Sequence, residues 1–384
     1  MSVRKRTWTT AKGEEKSAWI VDYVDGKGVR RLKSFKLKKQ ADQFAATAAV
    51  EVREGSHVAD SASATVEAAG RLWIASCEAH ELERSTLAQY RQHLDLHIVP
   101  LIGDTILAKL TVPAVRSFED RLRESGRSTA MMRKVLVSLG SLLADAQERG
   151  LVIRNAVREK SRSRSKGTDR RQERRQKGKL KVGVDIPTRE EVKALVGALA
   201  GRWRPLLLTA IFTGLRASEL RGLRWSDVDV DRREIRVHQR ADRFNHIGRP
   251  KSESGERTVP APPIVINGLK EWRLACPNSD LDLVFPNGSG KVESLANIIN
   301  RGLLPALRRA GIEGRYSGMH ALRHFYASWC INRPQDGGLG LPLKVVQERM
   351  GHSSVTLTAD VYSHLFPRGD DAEEMAAAER SLLS

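Results

Sequence analysis

Cysteine and long apolar segments are scarce in this chain. Its 384 residues include only three cysteines, Cys77, Cys276 and Cys330, whose separation fits neither a disulfide framework nor a paired metal-ligand motif. Residues 1–6 lead straight into polar sequence, without the apolar run of a signal peptide or a membrane span. These absences argue against a disulfide-rich secreted protein and a membrane protein. We expect a soluble protein of the reducing cytoplasm.

Acidic residues are too few to balance the basic ones. The chain contains 65 Lys and Arg against 46 Asp and Glu, which gives a formal net charge of +19. A protein that neutralises many DNA phosphates has this kind of charge. A ribosomal or chromatin protein would also fit, so composition alone does not identify a reaction.

Complete nucleotide or metal motifs are also missing. Residues 288–291 are similar to part of a phosphate-binding loop, but Phe285 replaces its first glycine and Val292 replaces the hydroxyl that would hold magnesium. His320 and His324 have the spacing of zinc ligands on a helix, yet no third ligand is near them in the sequence. We therefore expect no metal and no cofactor.

A small module precedes the helical part of the chain. Residues 18–24 and 29–35 are strand-like runs separated by turn residues, and they predict a β-hairpin. Apolar residues recur at helical spacing over residues 41–48, with Gly55 as a plausible end signal. The pattern predicts one helix packed on the hairpin.

Residues 62–157 have the pattern of an all-α domain of four helices. Four residues precede periodic apolar segments and are candidate N-caps: Thr65, Ser85, Thr111 and Ser128. The aromatic residues Trp73, Tyr90 and Phe118 are expected in the core rather than at a contact surface.

Two basic regions are candidates for DNA contact. In the module of residues 1–58, the basic residues either form a solvated face or allow the small sheet to bind DNA, with Arg30 and Arg31 paired to guanine edges. Residues 158–182 lose apolar periodicity, and residues 158–181 contain twelve basic and three acidic side chains. Such a segment predicts an extended linker that contacts phosphates. The phosphate contacts predicted there are Arg170, Arg171, Arg174 and Arg175.

The last domain, residues 183–384, begins with a capping box at residues 188–191. Short strands are predicted at 235–239 and 257–260, on either side of a polar turn that contains Lys251, and the remainder is mostly helical. The whole chain is therefore predicted to be α+β and mainly α: a hairpin and helix module, a four-helix domain, and a mostly helical domain with a small sheet.

A set of polar residues in this last domain suits metal-free attack on a phosphodiester. The set is Arg216, Lys251, His320, Arg323, His352 and Tyr362. Guanidinium groups can hold phosphate oxygens in bidentate fashion, a lysine can protonate a leaving oxygen, and a tyrosine can attack phosphorus. Each residue taken singly has an ordinary structural explanation, but the combination is a complete catalytic set.

The order and spacing of these residues resemble the tyrosine recombinases of the phage integrase family. The likeness rests on His-x-x-Arg-His at residues 320–324, and on Gly351 and His352 followed ten residues after the histidine by Tyr362. It implies that Tyr362 forms a 3′-phosphotyrosyl bond with DNA. The family also places an acidic residue after its first arginine; Glu219 matches it and would orient that arginine.

The resemblance assigns the other roles as well. Arg216 and Arg323 would hold the phosphate and stabilise the charge of the transition state. His320 would take the proton of the tyrosine, with His352 assisting at the phosphate. Lys251 corresponds to the hairpin lysine that protonates the leaving 5′ oxygen in the family.

The resemblance also implies an assembly on double-stranded DNA attachment sites. Residues 1–58 resemble an arm-binding module, and residues 62–157 resemble a core-binding domain that closes around the duplex with the catalytic domain. A free monomer would form a homotetramer on DNA in a bacterial host, and a host DNA-bending protein and a directionality factor are candidate partners. The element would be a phage or another mobile element. Two alternatives stay open: a type IB topoisomerase-like enzyme and a non-catalytic DNA-binding regulator of the same fold.

Overall fold

A computed structural model describes residues 1–11, 13–25, 28–53, 63–163, 180–250, 252–366 and 371–383. The chain divides into two compact units, Met1–Gly167 and Thr168–Ser384. Within the described ranges, no helix is both long enough and apolar enough to cross a membrane. The mainly helical α+β class that we predicted is confirmed.

The first unit begins with a three-stranded antiparallel sheet. Its strands, in sheet order, are β1 (Ser2–Thr9), β2 (Glu15–Val24) and β3 (Arg30–Phe35), followed by helix α1 (Lys38–Arg53). Val21, Tyr23 and Ala41 form the buried core between sheet and helix. The predicted hairpin and helix are confirmed, whereas β1 was missed because most of its residues are polar and exposed. Gly55 lies outside the described residues.

A separate helical core occupies the rest of the first unit. Its helices are α2 (Val66–Ala79), α3 (Arg84–His93), α4 (Val99–Ile102), α5 (Val112–Glu124), α6 (Thr129–Glu148) and α7 (Ala156–Ser163), with a π-helical turn at Leu94–Ile98 and a 3₁₀ turn at Leu107–Lys109. Trp73 and Phe118 are buried in this core, and the Tyr90 ring lies 4.6 Å from that of Trp73. The aromatic residues therefore pack as predicted.

Local capping explains where these helices begin. The hydroxyls of Thr65, Thr111 and Ser128 each accept a hydrogen bond from a backbone N–H in the first turn of their helix, as predicted. Ser85 was a wrong N-cap: it lies inside α3, which begins after Glu83, and its hydroxyl donates to the Glu83 carboxylate over 2.6 Å.

The basic segment expected to be an extended linker begins as a helix. Residues 158–163 belong to α7. Within it, the Lys160 side chain is only 5% exposed and forms an ion pair with Glu119. The pairing allows this lysine to be buried, which the charge count alone did not predict. The four arginines expected to contact phosphates, Arg170, Arg171, Arg174 and Arg175, lie outside the described residues.

Ten helices and two small sheets are described in the second unit. The helices are α8 (Arg189–Ala198), α9 (Trp203–Thr213), α10 (Ala217–Gly222), α11 (Pro263–Ala275), α12 (Leu295–Asn297), α13 (Leu304–Arg309), α14 (His320–Ile331), α15 (Leu343–Met350), α16 (Val355–Tyr362) and α17 (Asp371–Leu383). The strands are β4 (Val228–Asp229), β5 (Glu234–Val237) and β8 (Arg257–Pro260) in one antiparallel sheet, and β6 (Arg240–Ala241) and β7 (Ile247–Gly248) in the other. The Thr188–Glu191 capping box and both predicted strands are confirmed.

Two glycines end helices next to the candidate site. Gly214 follows α9 with φ 63°, and a Cβ there would collide with the ring of Tyr326. Gly351 follows α15 with φ 59°, and a Cβ there would lie 2.9 Å from the guanidinium of Arg257. Only glycine meets both requirements without strain. The two breaks set Arg216 at the start of α10 and His352 just beyond α15.

Candidate active site

Arg216 and Glu219 form a pair at the first turn of α10. The Glu219 carboxylate accepts from the Arg216 backbone N–H over 2.8 Å and from the Arg216 side chain over 2.7 Å. The Arg216 side chain remains 34% exposed, whereas that of Glu219 is only 2% exposed. The carboxylate therefore holds a partly open guanidinium in place, as expected for an orienting residue.

A second arginine, Arg257 on β8, shares the same carboxylate. Its Nη2 donates to Glu219 over 2.8 Å, and its Nη1 donates over 3.2 Å. Burial raises the pKa of Glu219, but the hydrogen bond and charge of Arg257, followed by the charges of Arg216 and Arg323, lower it to about 2. Glu219 is thus an anion at neutral pH despite its burial.

Three guanidiniums converge on the last carbonyls of α15. Arg257 donates to the carbonyl of Arg349 over 2.8 Å, and Arg216 donates to that of Gly351 over 2.9 Å. Arg323, which is 5% exposed, donates to the carbonyl between them, that of Met350. The C-terminal end of a helix carries partial negative charge, which offsets the repulsion among these three cations. We call residues 349–351 the carbonyl hub.

Arg323 is also fixed at its other side, because its Nη1 donates to the carbonyl of Gly214. Burial, followed by the charge of Arg216, lowers its pKa to about 9. The group therefore remains a cation at pH 7. Since a guanidinium has five N–H donors and Arg323 and Arg216 each use two in these contacts, both keep donors for an anion.

Tyr362 lies at the end of α16 with its side chain almost fully buried at 1% exposure. Its hydroxyl oxygen is 2.7 Å from Nδ1 of His324, and the two share a hydrogen bond. Burial raises the pKa of Tyr362 to about 12, while the charges of Arg323 and Arg216 act in the opposite direction. The hydroxyl is therefore neutral at pH 7, and the positive charges of both arginines favour its deprotonated form.

The contact that we expected from His320 is made by His324. Both residues are on the same face of α14, one turn apart, with ring centroids 6.2 Å from each other, but His320 is exposed. Burial of the ring, followed by the charges of His320 and Arg323, lowers the pKa of His324 to about 4. Neutral imidazole is thus the form that meets Tyr362. The sequence signal was present in the second histidine of His-x-x-Arg-His.

His352 contacts the tyrosine in a different way. Its ring stacks on that of Tyr362 with a centroid distance of 6.2 Å and an interplanar angle of 6°. Its Nδ1 lies 2.9 Å from the hydroxyl of Thr358, and burial, followed by nearby arginine charges, lowers its pKa to about 4. The ring is therefore held neutral, with Nε2 not used by this bond.

The second unit thus brings together four of the six predicted catalytic residues, whereas His320 is exposed one turn from His324. Arg216, held by Glu219, and Arg323 meet at the carbonyl hub, and the hub continues directly into His352, which stacks on Tyr362. The remaining residue, Lys251, lies outside the described residues. Among the residues that the structure describes, no group of three or more His, Cys, Asp or Glu could hold a metal ion.

The arginines predicted to contact DNA in the first unit are engaged in ion pairs. Arg30 donates to Asp22 over 3.0 Å, and Arg31 donates to Asp25 over 2.9 Å. The Arg30 side chain is still 70% exposed, whereas that of Arg31 is 26% exposed. Arg31 lies on the sheet face that packs against α1, since it pairs with the buried Tyr23 in the register. Arg30 is therefore the more accessible of the two arginines.

Residues 187–368 match the model of the phage integrase family. These residues form a domain of this family. A tyrosine recombinase XerC-like protein of Caldanaerobacter subterraneus subsp. tengcongensis is 26% identical over 371 residues, which cover 90% of each chain. The ICEBs1 integrase of Bacillus subtilis is 22% identical over 377 residues, 94% of this chain and 95% of that protein. The protein is a tyrosine-type site-specific recombinase.

Solved structures have the same fold. The Tn1549 transposon integrase in complex with circular intermediate DNA aligns with a TM-score of 0.64 at 18% identity, covering 83% of this chain and 100% of that chain. A lambda integrase dimer bound to a core site aligns with a TM-score of 0.56 at 16% identity, covering 92% of this chain and 93% of that chain. At these identities the likeness concerns the fold.

Proposed function

We propose that Tyr362 is the nucleophile of this recombinase and that Arg216 and Arg323 hold the scissile phosphate. The observation that carries the proposal is the Tyr362 hydroxyl, which is buried, hydrogen-bonded and subject to the charges of both arginines. Attack would form a 3′-phosphotyrosyl bond and release a 5′ oxygen. The energy of the broken bond is conserved, so rejoining the strands needs no ATP.

Charge stabilisation is the main task of the two arginines. Each is fixed through two N–H contacts, to Glu219 and Gly351 or to Gly214 and Met350, so the remaining donors can be aimed in advance at phosphate oxygens. A preorganised donor of this kind is worth about 2.7–4 kcal/mol in the barrier. His352, stacked on Tyr362, supplies a further donor if its Nε2 carries the proton.

We assign the proton contact of the nucleophile to His324 rather than to His320. Because the pKa of Tyr362 is about 12 and that of His324 is about 4, transfer of the proton before attack would cost on the order of 10 kcal/mol. The proton must therefore move while the phosphate is being attacked. Lys251 remains the proposed general acid for the leaving 5′ oxygen, on the strength of its sequence position.

The three domains and the basic linker expected from the sequence remain part of this proposal, with residues 1–58 as an arm-binding module. Support comes from the sheet face opposite α1, where Arg4, Arg6, Trp8 and Arg30 lie at alternating positions. Basic and aromatic side chains on one sheet face suit insertion into a DNA groove. Gel shifts of the full chain and of a chain starting at residue 62 should show arm-site affinity only for the full chain; equal affinity would refute the assignment.

We further propose that the protein acts in the host cytoplasm as a tetramer on paired attachment sites, with a DNA-bending protein and a directionality factor as candidate partners. Helix α17 exposes Met375, Leu382 and Leu383 to 72%, 85% and 78%. Such an apolar stripe suits docking on a neighbouring protomer. Truncation after residue 368 should spare half-site binding and impair strand exchange. Unchanged strand exchange would exclude the docking role.

Trapping of a covalent intermediate tests the reaction itself. The substrate is a nicked duplex made from the DNA that flanks the coding sequence. After cleavage, the short fragment that carries the free 5′ hydroxyl diffuses away. We expect a denaturation-resistant adduct with the wild-type chain and none with Tyr362→Phe, which should still bind the duplex. An adduct of undiminished yield in the phenylalanine variant would refute the assignment of the nucleophile.

A further inference from the structure

Arg257 connects three chain segments around the candidate site without facing the substrate. Its side chain is 6% exposed. Nε donates to the carbonyl of Arg349 over 2.8 Å, and Nη1 donates to that of Gly255 over 2.9 Å. The same guanidinium forms the two bonds to Glu219 described above. All of its side-chain nitrogens are therefore bound to the protein.

The charges around Glu219 give this arrangement a second consequence. A lone Arg216–Glu219 pair would be neutral, and its guanidinium would have little net charge to offer a phosphate. Because Arg257 shares the carboxylate, the cluster of Arg216, Arg257 and Glu219 keeps a net positive charge. Loss of Arg257 would also leave the Glu219 carboxylate, 2% exposed, with Arg216 as its main partner. Arg216 would then be drawn away from a phosphate.

We infer that Arg257 is a positioning residue for DNA cleavage that acts through Arg216, which it holds in place by way of Glu219 and the carbonyl hub. This inference rests on the proposed function. The position of Gly351 supports it: a Cβ there would lie 2.9 Å from both Arg257 Nη1 and the carbonyl of Ser254, so the segment leading to His352 is closely fitted around this guanidinium.

The test compares Arg257→Gln and Arg257→Lys with the wild-type full chain, using the trapped adduct as readout. We expect the glutamine variant to lower the single-turnover cleavage rate on the order of tenfold to hundredfold, as for a misplaced catalytic group. The dissociation constant for the same duplex should change less than twofold. The lysine variant keeps the positive charge but lacks the planar guanidinium with its paired N–H donors, and it should recover only part of the cleavage rate.

Arg202→Gln is the matched control. Arg202 also donates to a buried carboxylate, Glu293, over 3.0 Å and to the carbonyl of Pro286, but it contacts none of the candidate catalytic residues that the structure describes. A merely structural loss should lower the melting temperature in both glutamine variants and leave the cleavage rate of bound complexes unchanged in Arg202→Gln. A rate loss of the same size in the control would overturn the inference.

A double-mutant cycle separates positioning from direct action. In the Arg216→Ala background, Arg257→Gln should reduce the remaining rate by less than threefold, because the residue through which it acts is gone. The full single-mutant loss in that background, or a wild-type rate in the single variant, would overturn the inference. If Arg257→Gln does not fold, the same cycle is decided with Arg257→Lys. Absence of adduct from the wild-type chain would instead count against the proposed function.

Discussion

The hydrogen bond between His324 and Tyr362 permits a quantitative prediction. In His324→Ala the Tyr362 hydroxyl loses its protein partner in a site that is 1% exposed. An unsatisfied buried hydroxyl costs about 1–3 kcal/mol, in addition to the loss of ring packing. In a Tyr362→Phe background only the packing is lost. We therefore expect a coupling free energy of about 1 kcal/mol between the two substitutions.

Hydrogen exchange of peptides from α14 and α16 in the full chain measures this coupling, since slow amides report the free energy of opening of the catalytic unit. A coupling of 1 kcal/mol corresponds to about a fivefold difference in exchange rate. His352→Ala is the control, because His352 stacks on the Tyr362 ring but bonds to Thr358. A coupling below about 0.3 kcal/mol for His324, or an equal coupling for His352, would refute the bond as described.

Further predictions concern catalysis and pH. Arg216→Ala and Arg323→Ala should each slow adduct formation roughly a hundredfold to a thousandfold. Arg323→Lys should restore little of the rate, and full activity of this lysine variant would show that bidentate contact by a guanidinium is unnecessary. The pKa values of His324 and His352, lowered from 6.5 to about 4, make the unfolded chain bind protons first as pH falls. The free energy of unfolding is then highest above pH 6.5 and decreases as the pH falls towards 4, by up to about 3 kcal/mol per histidine. In denaturant melts between pH 6.5 and 4, the free energy of unfolding of His352→Asn should decrease less than that of the wild-type chain.

Local sequence signals predicted the helix starts that depend only on neighbouring residues. The Thr188–Glu191 capping box and the caps at Thr65 and Ser128 need only neighbouring residues, and they are present as predicted. Ser85 has the right residue type, but Glu83 precedes the helix instead. The burial of Lys160 depends on Glu119, which is 41 residues away in the sequence. No local pattern contains that pairing, so the continuation of α7 to Ser163 was not predicted.

The candidate site could be predicted only in part, for the same reason. Residue types, their spacing and the family resemblance predicted Arg216, Arg323 and Tyr362 as catalytic residues, because cleavage of a phosphodiester needs cations at the phosphate and a nucleophile. The choice between His320 and His324 depends on which ring on α14 turns towards α16, and this is a matter of tertiary packing. Arg257 has no local signal at all, since its function comes from a carboxylate 38 residues earlier and a carbonyl 92 residues later.

The carbonyl hub also determines when during synthesis the enzyme can become active. Arg216, Arg257 and Arg323 are all synthesised before their acceptor carbonyls at residues 349–351, and the proposed nucleophile follows eleven residues after Gly351. A nascent chain therefore cannot assemble the phosphate pocket from its arginines alone. On the proposed function, a chain that stops before residue 362 carries no nucleophile, so the catalytic unit gains its cleavage chemistry only near the end of its synthesis.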